Sequence, residues 1–407
     1  MIMDNLQLHQ KRSKRILTIN SILFQDVFFA TIEVIYFLKV LHLSFSEFAT
    51  ITSISVIISM IAEIPTGMIS DYFGRKDMLL LGTVINIFGT VMMIVFPILK
   101  QSTFLHILLA QIIIIVGDAL ASGNFEVLIY DYFMDCDISD QQFKAMSSRL
   151  FSKGAILAAM IGLLSTLIFD INPYLPLILD IVIQCTKFVT FLWIPAKFSN
   201  RDRHSTIQMH SLKNVNQLVP KKNILFVILL FSIVFSISRS TFSLYQPMMT
   251  SHHLSLVSYG ILTVIINLSV FVIVNYTKFQ IEKYYIPLIS ILVLASQIIL
   301  LIVPFAHHSF ILFLLFTVAF SLMQILRVIS EGLSSFFINK EIETEKNRTF
   351  YFSVYKTISA LILAFYFGLS SVLSHFIHNY IGTYLAECFI SIFILLIFEL
   401  KERKHNF

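Results

Sequence analysis

Apolar runs, each about as long as a bilayer-crossing helix, follow one another along this chain from near its start to its end. Such runs need either a very large polar surface around them or a lipid environment, and the 407 residues do not contain the first: 13% are charged and 57% hydrophobic, where a soluble domain carries roughly 25% charged residues. The runs also continue far past the about 10 residues of a transmembrane β-strand without alternating polarity, which excludes a barrel. With 12 Gly, 9 Pro and 40 Phe, fibrous and flexible low-complexity chains are excluded as well. The reading is an all-α membrane protein, since helices satisfy their own backbone in hydrocarbon.

A helix of about 20 residues spans the hydrocarbon core, and polar punctuation divides the chain into twelve segments. They lie near 16–40, 47–70, 78–98, 103–128, 145–169, 174–194, 223–248, 256–275, 284–305, 310–333, 350–373 and 380–400. No cleavable leader is expected, because Lys11, Arg12, Lys14 and Arg15 precede segment 1 and no small-residue cleavage site follows it. With the amino terminus inside, 22 of the 29 lysines and arginines fall in the cytoplasmic tails and loops, and the outer ends hold only Lys39 and Lys100. Both termini are therefore expected in the cytoplasm. The longest polar stretch, 195–222, reads as a cytoplasmic linker between a six-helix bundle at 1–194 and a second at 223–407. Cys136, Cys185 and Cys388 form no CxxC pair, so no zinc site or disulfide framework is expected. A net charge of +5, scattered between segments, does not point to nucleic acid.

The halves echo each other: His42-Leu43-Ser44 after segment 1 recurs as His253-Leu254-Ser255 after segment 7. Tyr36 and Tyr245 lie close by, and the same offset carries Asp71 onto Glu282. A duplicated six-helix unit with its site between the halves is a common transporter plan.

Glu63-Ile64-Pro65-Thr66-Gly67-Met68-Ile69-Ser70-Asp71-Tyr72-Phe73-Gly74-Arg75-Lys76 occupies the short connection after segment 2. Physically, Gly67 permits close helix approach, Gly74 supplies a turn, and Asp71 with Arg75 and Lys76 sets opposite charges at one membrane face. A capped hairpin held inside by its basic pair would account for the charges alone. The whole string, however, resembles motif A of the major facilitator superfamily, Gly-x-x-x-Asp-x-x-Gly-Arg-Lys, at the position where that superfamily carries it. Gly117-Asp118-Ala119-Leu120-Ala121-Ser122-Gly123-Asn124-Phe125-Glu126, followed by Tyr130-Asp131, resembles the helix 4 signature of the bacterial branch whose motif A follows Glu-x-Pro-Thr-Gly. Asn339-Lys340, Arg348-Thr349 and Ser353 resemble that branch's loop between helices 10 and 11.

The resemblance implies two pseudo-symmetric six-helix bundles in a bacterial cytoplasmic membrane, alternating access to a midplane cavity. It implies that Gly67, Asp71, Gly74, Arg75, Lys76 and Asp131 form a conformational latch, with Asp71 toward the amino end of segment 11 near Phe350 and Arg75 toward Asp131. Two departures limit the transfer. Gln111 stands where the superfamily often has an arginine linked to proton transfer, and segment 5 has Gly154 and Gly162 without the Gly-Pro of the drug antiporters.

Charges inside a membrane are costly and usually face a cavity or each other. Segments 1, 4, 7 and 10 carry seven: Asp26, Glu33, Asp118, Glu126, Arg239, Arg327 and Glu331, against Glu63, Lys153 and Lys356 in one remaining set and Asp180, Lys187 and Glu387 in the other. The superfamily lines its cavity mainly with the first set, so those seven are the candidates for proton coupling. Asp26 and Glu33 are about two turns apart and share a face; either one loads and releases a proton, or both pair permanently with Arg239 or Arg327 and fix packing. Asp118 and Arg327 are expected in equivalent places of the two halves. Glu126 and Glu63 read more as structural, and Asp180 with Lys187 as a helix contact on an outer helix.

Phe28, Phe29, Phe242 and Tyr245 beside these charges would give an aromatic wall suited to an amphiphile. Eight of the twelve histidines, including His375-x-x-His378, fall at outer helix ends. They serve either as an acid sensor or metal site, or simply as tolerated polar residues where lysine and arginine are avoided. No catalytic set, nucleotide-binding loop, cofactor site or metal site is read. The expectation is a monomeric, proton-coupled exporter of a small amphiphilic compound, with uptake symport or flipping of a lipid-linked substrate as alternatives of the same fold. A membrane-embedded enzyme would need a catalytic set, and a channel would need rings of like residues from an oligomer.

Overall fold

A computed structural model describes residues 28–134 except 102, residue 157, and residues 159–193, 222–276, 285–341 and 345–403. Besides a short helix at Tyr245–Ser251, twelve helices follow in order among them: α1 (Phe28–Lys39), α2 (Phe45–Phe73), α3 (Arg75–Ile98), α4 (Phe104–Met134), α5 (Ala159–Ile171), α6 (Leu175–Leu192), α7 (Lys222–Phe242), α8 (Leu256–Tyr276), α9 (Tyr285–Ile302), α10 (Ser309–Glu341), α11 (Glu345–Ile377) and α12 (Tyr380–Arg403). No strand occurs among the described residues. Seven of the helices, α2, α3, α4, α6, α7 with its continuation, α10 and α11, contain stretches long and apolar enough to cross a membrane, and α5, α8, α9 and α12 contain shorter apolar ones. Large side chains such as Phe305, Phe310, Phe376 and Phe389 are exposed, as expected of surfaces that meet lipid.

The helix breaks have local causes. Between α2 and α3, Gly74 sits at φ 99° and ψ 137°, a conformation open essentially to glycine alone. That gives the motif glycine its physical reason. The expected single seventh segment is broken after Phe242, and a short helix, Tyr245–Ser251, continues it. Pro247 lies four residues after Ser243 and has no N–H to return to that carbonyl. The chain instead tightens, with Ser243 N–H bonded to Ser240 O at 3.0 Å and Leu244 N–H to Thr241 O at 3.1 Å.

Four helix ends are closed by non-glycine residues in the left-handed region: His42, Lys100, His253 and His378, with φ between 52° and 57°. His42 and His253 are the repeated histidines, so the sequence echo corresponds to one backbone turn made twice. After Lys100, Gln101 N–H reaches Phe96 O at 2.8 Å, an ordinary glycine-type closure. The left-handed conformation costs a side chain about 1–2 kcal/mol. Lys100→Gly is therefore expected to raise stability by about 1 kcal/mol, read as a higher thermal unfolding midpoint with transport unchanged.

The chain forms two compact units. The first holds α1 up to Tyr36, α2 from Ile58 onward, and α3 to α6. Its α3 and α4 pack tightly, with Gly82 and Gly89 of α3 against Ala110, Ile114, Gly117 and Ala121 of α4. Small residues of this kind let membrane helices approach closely where no hydrophobic force draws them together.

The second unit holds the first part of α2 through Ile57 and all of α7 to α12. Its centre is the seventh span: 72% of the Ile228–Ser251 window is buried, against 28–44% for the other six spans. Serines allow that helix to be surrounded on all sides. Ser232 Oγ lies 2.8 Å from Ser359 Oγ, and Ser240 Oγ lies 2.8 Å from Ser370 Oγ, both on α11. Within the same unit, Ser371 of α11 bonds Ser46 and Thr50 of α2 at 2.8 and 2.9 Å, and Ser53 Oγ donates to Ala364 O at 2.7 Å.

Candidate functional site

A cavity of about 190 Å³ opens inside the first unit, lined by residues of α1, α3, α4 and α6. Its polar groups are Glu33 of α1, Asn86 and Thr90 of α3, Gln111 and Asp118 of α4, and Asp180 and Gln184 of α6; Phe29, Met93, Ile114 and Leu177 supply apolar wall.

The close approach at Gly82, Gly89 and Gly117 builds the first part of this site, because it brings Asn86 to Asp118. Asn86 Nδ2 donates to Asp118 Oδ1 at 2.6 Å. One turn along α3, Thr90 donates to the Asn86 carbonyl at 2.9 Å, and its hydroxyl lies on the same side as Asn86 Oδ1, which fixes the amide with its nitrogen toward Asp118. Asp118 remains exposed to the cavity.

Asp180 builds the second part. Its two carboxylate oxygens accept the backbone N–H groups of Phe28 and Phe29, at 2.8 and 2.9 Å, and Ser165 Oγ donates to the Phe28 carbonyl at 2.5 Å. Asp180 thereby holds the backbone of α1 at its first two described residues. Lys187, seven residues further along α6 and 3% exposed, interacts electrostatically with both Asp118 and Asp180. Two carboxylates thus share one buried ammonium, and Glu33 adds a third acid to the cavity wall. Gln111 Oε1 is buried with no hydrogen-bond partner among the described residues. Such a site can take up a proton or a donor group: among the described residues the cavity's carboxylates outnumber its cation, the Gln111 acceptor is unfilled, and Asp118 is reachable.

Of the residues singled out from sequence, Glu33, Asp118 and Phe29 line this cavity together. The Phe28 side chain is buried, and its backbone is held by Asp180. Arg239 in α7 is exposed and has no ion-pair partner among the described residues. Arg327 in α10 is partly buried. Phe242 and the buried Tyr245 meet at a ring-centroid distance of 4.9 Å with their planes tilted by 34°, and Tyr245 meets Phe320 of α10 at 6.0 Å, so both belong to an aromatic cluster of the second unit.

Asp26 lies outside the described residues, as do the side chains of Glu126, Asp131, Glu331, Glu63 and Asp71. Gly67 lies within α2 in a stretch where only the backbone is described. In the motif A segment, Arg75 and Lys76 are partly buried and Lys76 Nζ donates to the Leu192 carbonyl at 3.0 Å. Among the outer histidines, burial and then neighbouring His253 lower the pKa of His252 from its ordinary value, and His375 and His378 line a separate cavity of about 660 Å³ in the second unit. No group of three or more potential metal ligands occurs among the described residues.

Sequence reasoning did not place Asn86, Thr90, Lys187 or Asp180 in the site. Asp180 and Lys187 did carry a signal, two charges two turns apart in an otherwise apolar helix. Asn86 and Thr90 carried none, since a neutral polar residue in a span marks nothing until its neighbour is known.

The description Major Facilitator Superfamily belongs to the family model that matches residues 16–341. No curated protein sequence matches the chain. Among solved structures, that of the nucleoside transporter NupG is similar with a TM-score of 0.68 at 12% identity, covering 96% of this chain and 98% of that one. A D-xylose-proton symporter gives 0.67 at 12% identity, covering 94% and 95%. A POT family transporter in complex with 5-aminolevulinic acid gives 0.66 at 13% identity, covering 97% and 96%. At these identities the likeness shows the fold, and it extends over nearly the whole of each chain. Together with the family match over most of its length, it makes this chain an integral membrane protein that belongs to the Major Facilitator Superfamily.

Proposed function

We propose that the chain is a secondary active transporter that exports a small amphiphilic compound in exchange for protons. The observation that carries this reading is the cavity of the first unit, where Glu33, Asp118 and Asp180 face apolar wall and the two aspartates share the buried ammonium of Lys187. Asp118 is the proton carrier in this proposal. It is open to the cavity, it gains a hydrogen bond from Asn86 when charged, and Lys187 offsets its charge whenever the proton leaves. Phe29, Met93, Ile114 and Leu177 suit the apolar part of a substrate, and the unfilled Gln111 acceptor suits a donor on its polar part. In the same proposal the motif residues Asp71, Gly74, Arg75, Lys76 and Asp131 act on the conformational change and do not touch the substrate.

The test uses purified protein in vesicles with an imposed pH gradient and a mixed panel of drugs, peptides and lipids. Exchange against protons accumulates substrate in vesicles that are acid inside, whichever way the protein is inserted, whereas symport requires an acid exterior. Accumulation in acid-inside vesicles is the expected result, and it falls to the passive level in Asp118→Asn while substrate binding is retained. Transport indifferent to the gradient would sink proton coupling, and accumulation only from an acid exterior would replace export by uptake.

A further inference from the structure

Glu387 lies in the first third of α12, in the second unit, fully buried. Among the described residues its carboxyl is hydrogen-bonded to two serines that are themselves fully buried: Ser370 of α11 meets Oε1, and Ser240 of α7 lies 2.9 Å from Oε2. The two hydroxyl oxygens are 2.8 Å apart, and Ser370 Oγ is also 3.0 Å from the Tyr366 carbonyl. The titratable groups around the carboxyl are Tyr366, itself bonded to Ser391, Tyr384, bonded to Ser296 of α9, and Cys388. Among the described residues none of the groups facing it is a cation.

Counting protons decides the state of this cluster. There are four oxygen-to-oxygen contacts at hydrogen-bond distance, and the serines bring two protons. An ionised carboxylate and a carbonyl bring none, so in that state two contacts set oxygen against oxygen. One carboxyl proton changes the count. Glu387 then donates to Ser370, Ser370 passes its own proton to the Tyr366 carbonyl and Ser240 donates to the other carboxyl oxygen, so that one contact, Ser240 Oγ to Ser370 Oγ, is left without a proton instead of two. A fully buried carboxylate without a cation is also strongly disfavoured. Oxygen-to-oxygen contacts of 2.8–2.9 Å leave no space for a metal ion among these groups.

We propose that Glu387 is a proton-binding site of the second unit, and that its proton is tied to the seating of α2 on α11. The next residue after Ser370 is Ser371, which holds Ser46 and Thr50 of α2. The two serines sit back to back on α11, one on the carboxyl and the other on α2. A shift of α11 that releases α2 also takes Ser370 away from Glu387 and opens the carboxyl to proton loss. A part for this proton in the transport cycle rests on the proton coupling proposed above, but the site itself does not.

The experiment is infrared spectroscopy of the full chain in lipid vesicles, titrated from about pH 5 to about pH 10, with no substrate present. The expected result is a protonated-carboxyl carbonyl band at neutral pH that is missing in Glu387→Gln, disappears from the wild type within the titration, and disappears at lower pH in Ser371→Ala. Should Glu387→Gln fail to fold, Ser370→Ala identifies the same band by shifting its frequency. Absence of the band at neutral pH, or a band unmoved in both variants, overturns the site. Persistence through the whole titration makes the proton permanent and also overturns it, and an unchanged titration in Ser371→Ala removes the tie to α2. Because no transport is measured, failure here is distinct from failure of the export reading.

Discussion

Gly117→Ala is expected to lower stability by about 2–3 kcal/mol and to abolish gradient-driven transport, although it adds a single methyl group. A Cβ at Gly117 would stand 2.6 Å from the Asn86 backbone nitrogen and 2.8 Å from the Gly82 carbonyl oxygen. Both obstacles are backbone, so no side chain can swing aside, and α3 and α4 have to separate. Separation stretches the Asn86–Asp118 hydrogen bond of 2.6 Å, and the site is lost together with the packing. Gly368→Ala in α11 is the control. The nearest atom to its new Cβ is Ser53 Oγ at 3.8 Å, an ordinary contact, and a glycine inside a helix gives up about 0.5–1 kcal/mol relative to alanine. That variant is expected to match or slightly exceed the wild type. The comparison is made by thermal unfolding midpoints and vesicle transport measured side by side. Equal behaviour of the two alanine variants would show that the α3–α4 approach is not what assembles the cavity.

The same pair of glycines marks where sequence reading succeeds and where it stops. Hydropathy reports where hydrocarbon begins and ends, and twelve apolar segments correspond to twelve helices. Several helices run past those segments: α2 reaches Phe73, α4 reaches Met134, α10 reaches Glu341 and α11 starts at Glu345. Their polar ends keep helical hydrogen bonding after the apolar pattern has stopped, and a hydropathy boundary cannot register that. Pro247 was visible in the sequence, but the break it causes lies four residues upstream, where apolarity continues without a mark. Asp118 was legible because charge in a span is rare. Its partner Asn86 was not, because their meeting depends on how α3 and α4 are rotated about a crossing set by Gly82, Gly89 and Gly117. Asp180 was legible as a charge and illegible as a role, since the groups it binds are backbone N–H groups, which every residue but proline has.

That role gives the second large effect, a loss of about 3–5 kcal/mol in Asp180→Ala with loss of transport. Both carboxylate oxygens are occupied by α1, and truncation leaves the N–H groups of Phe28 and Phe29 without their acceptor in a setting where water does not replace it. Lys187 at the same time loses one of its two counter-charges. Asp180→Asn separates the two contributions. An asparagine offers one acceptor oxygen, but its NH₂ group must then face the second N–H, donor against donor. If holding the first described turn of α1 is what Asp180 does, Asn is expected to be nearly as damaging as Ala, and adding Lys187→Met is expected to recover little of the loss. If charge balance with Lys187 dominates, Asp180→Ala combined with Lys187→Met recovers most of it, and the double-mutant cycle shows strong coupling. Thermal midpoints of the four proteins decide between them. An Asp180→Asn protein as stable as the wild type would remove the hold on α1 from the account, because it is the only role here that needs both oxygens.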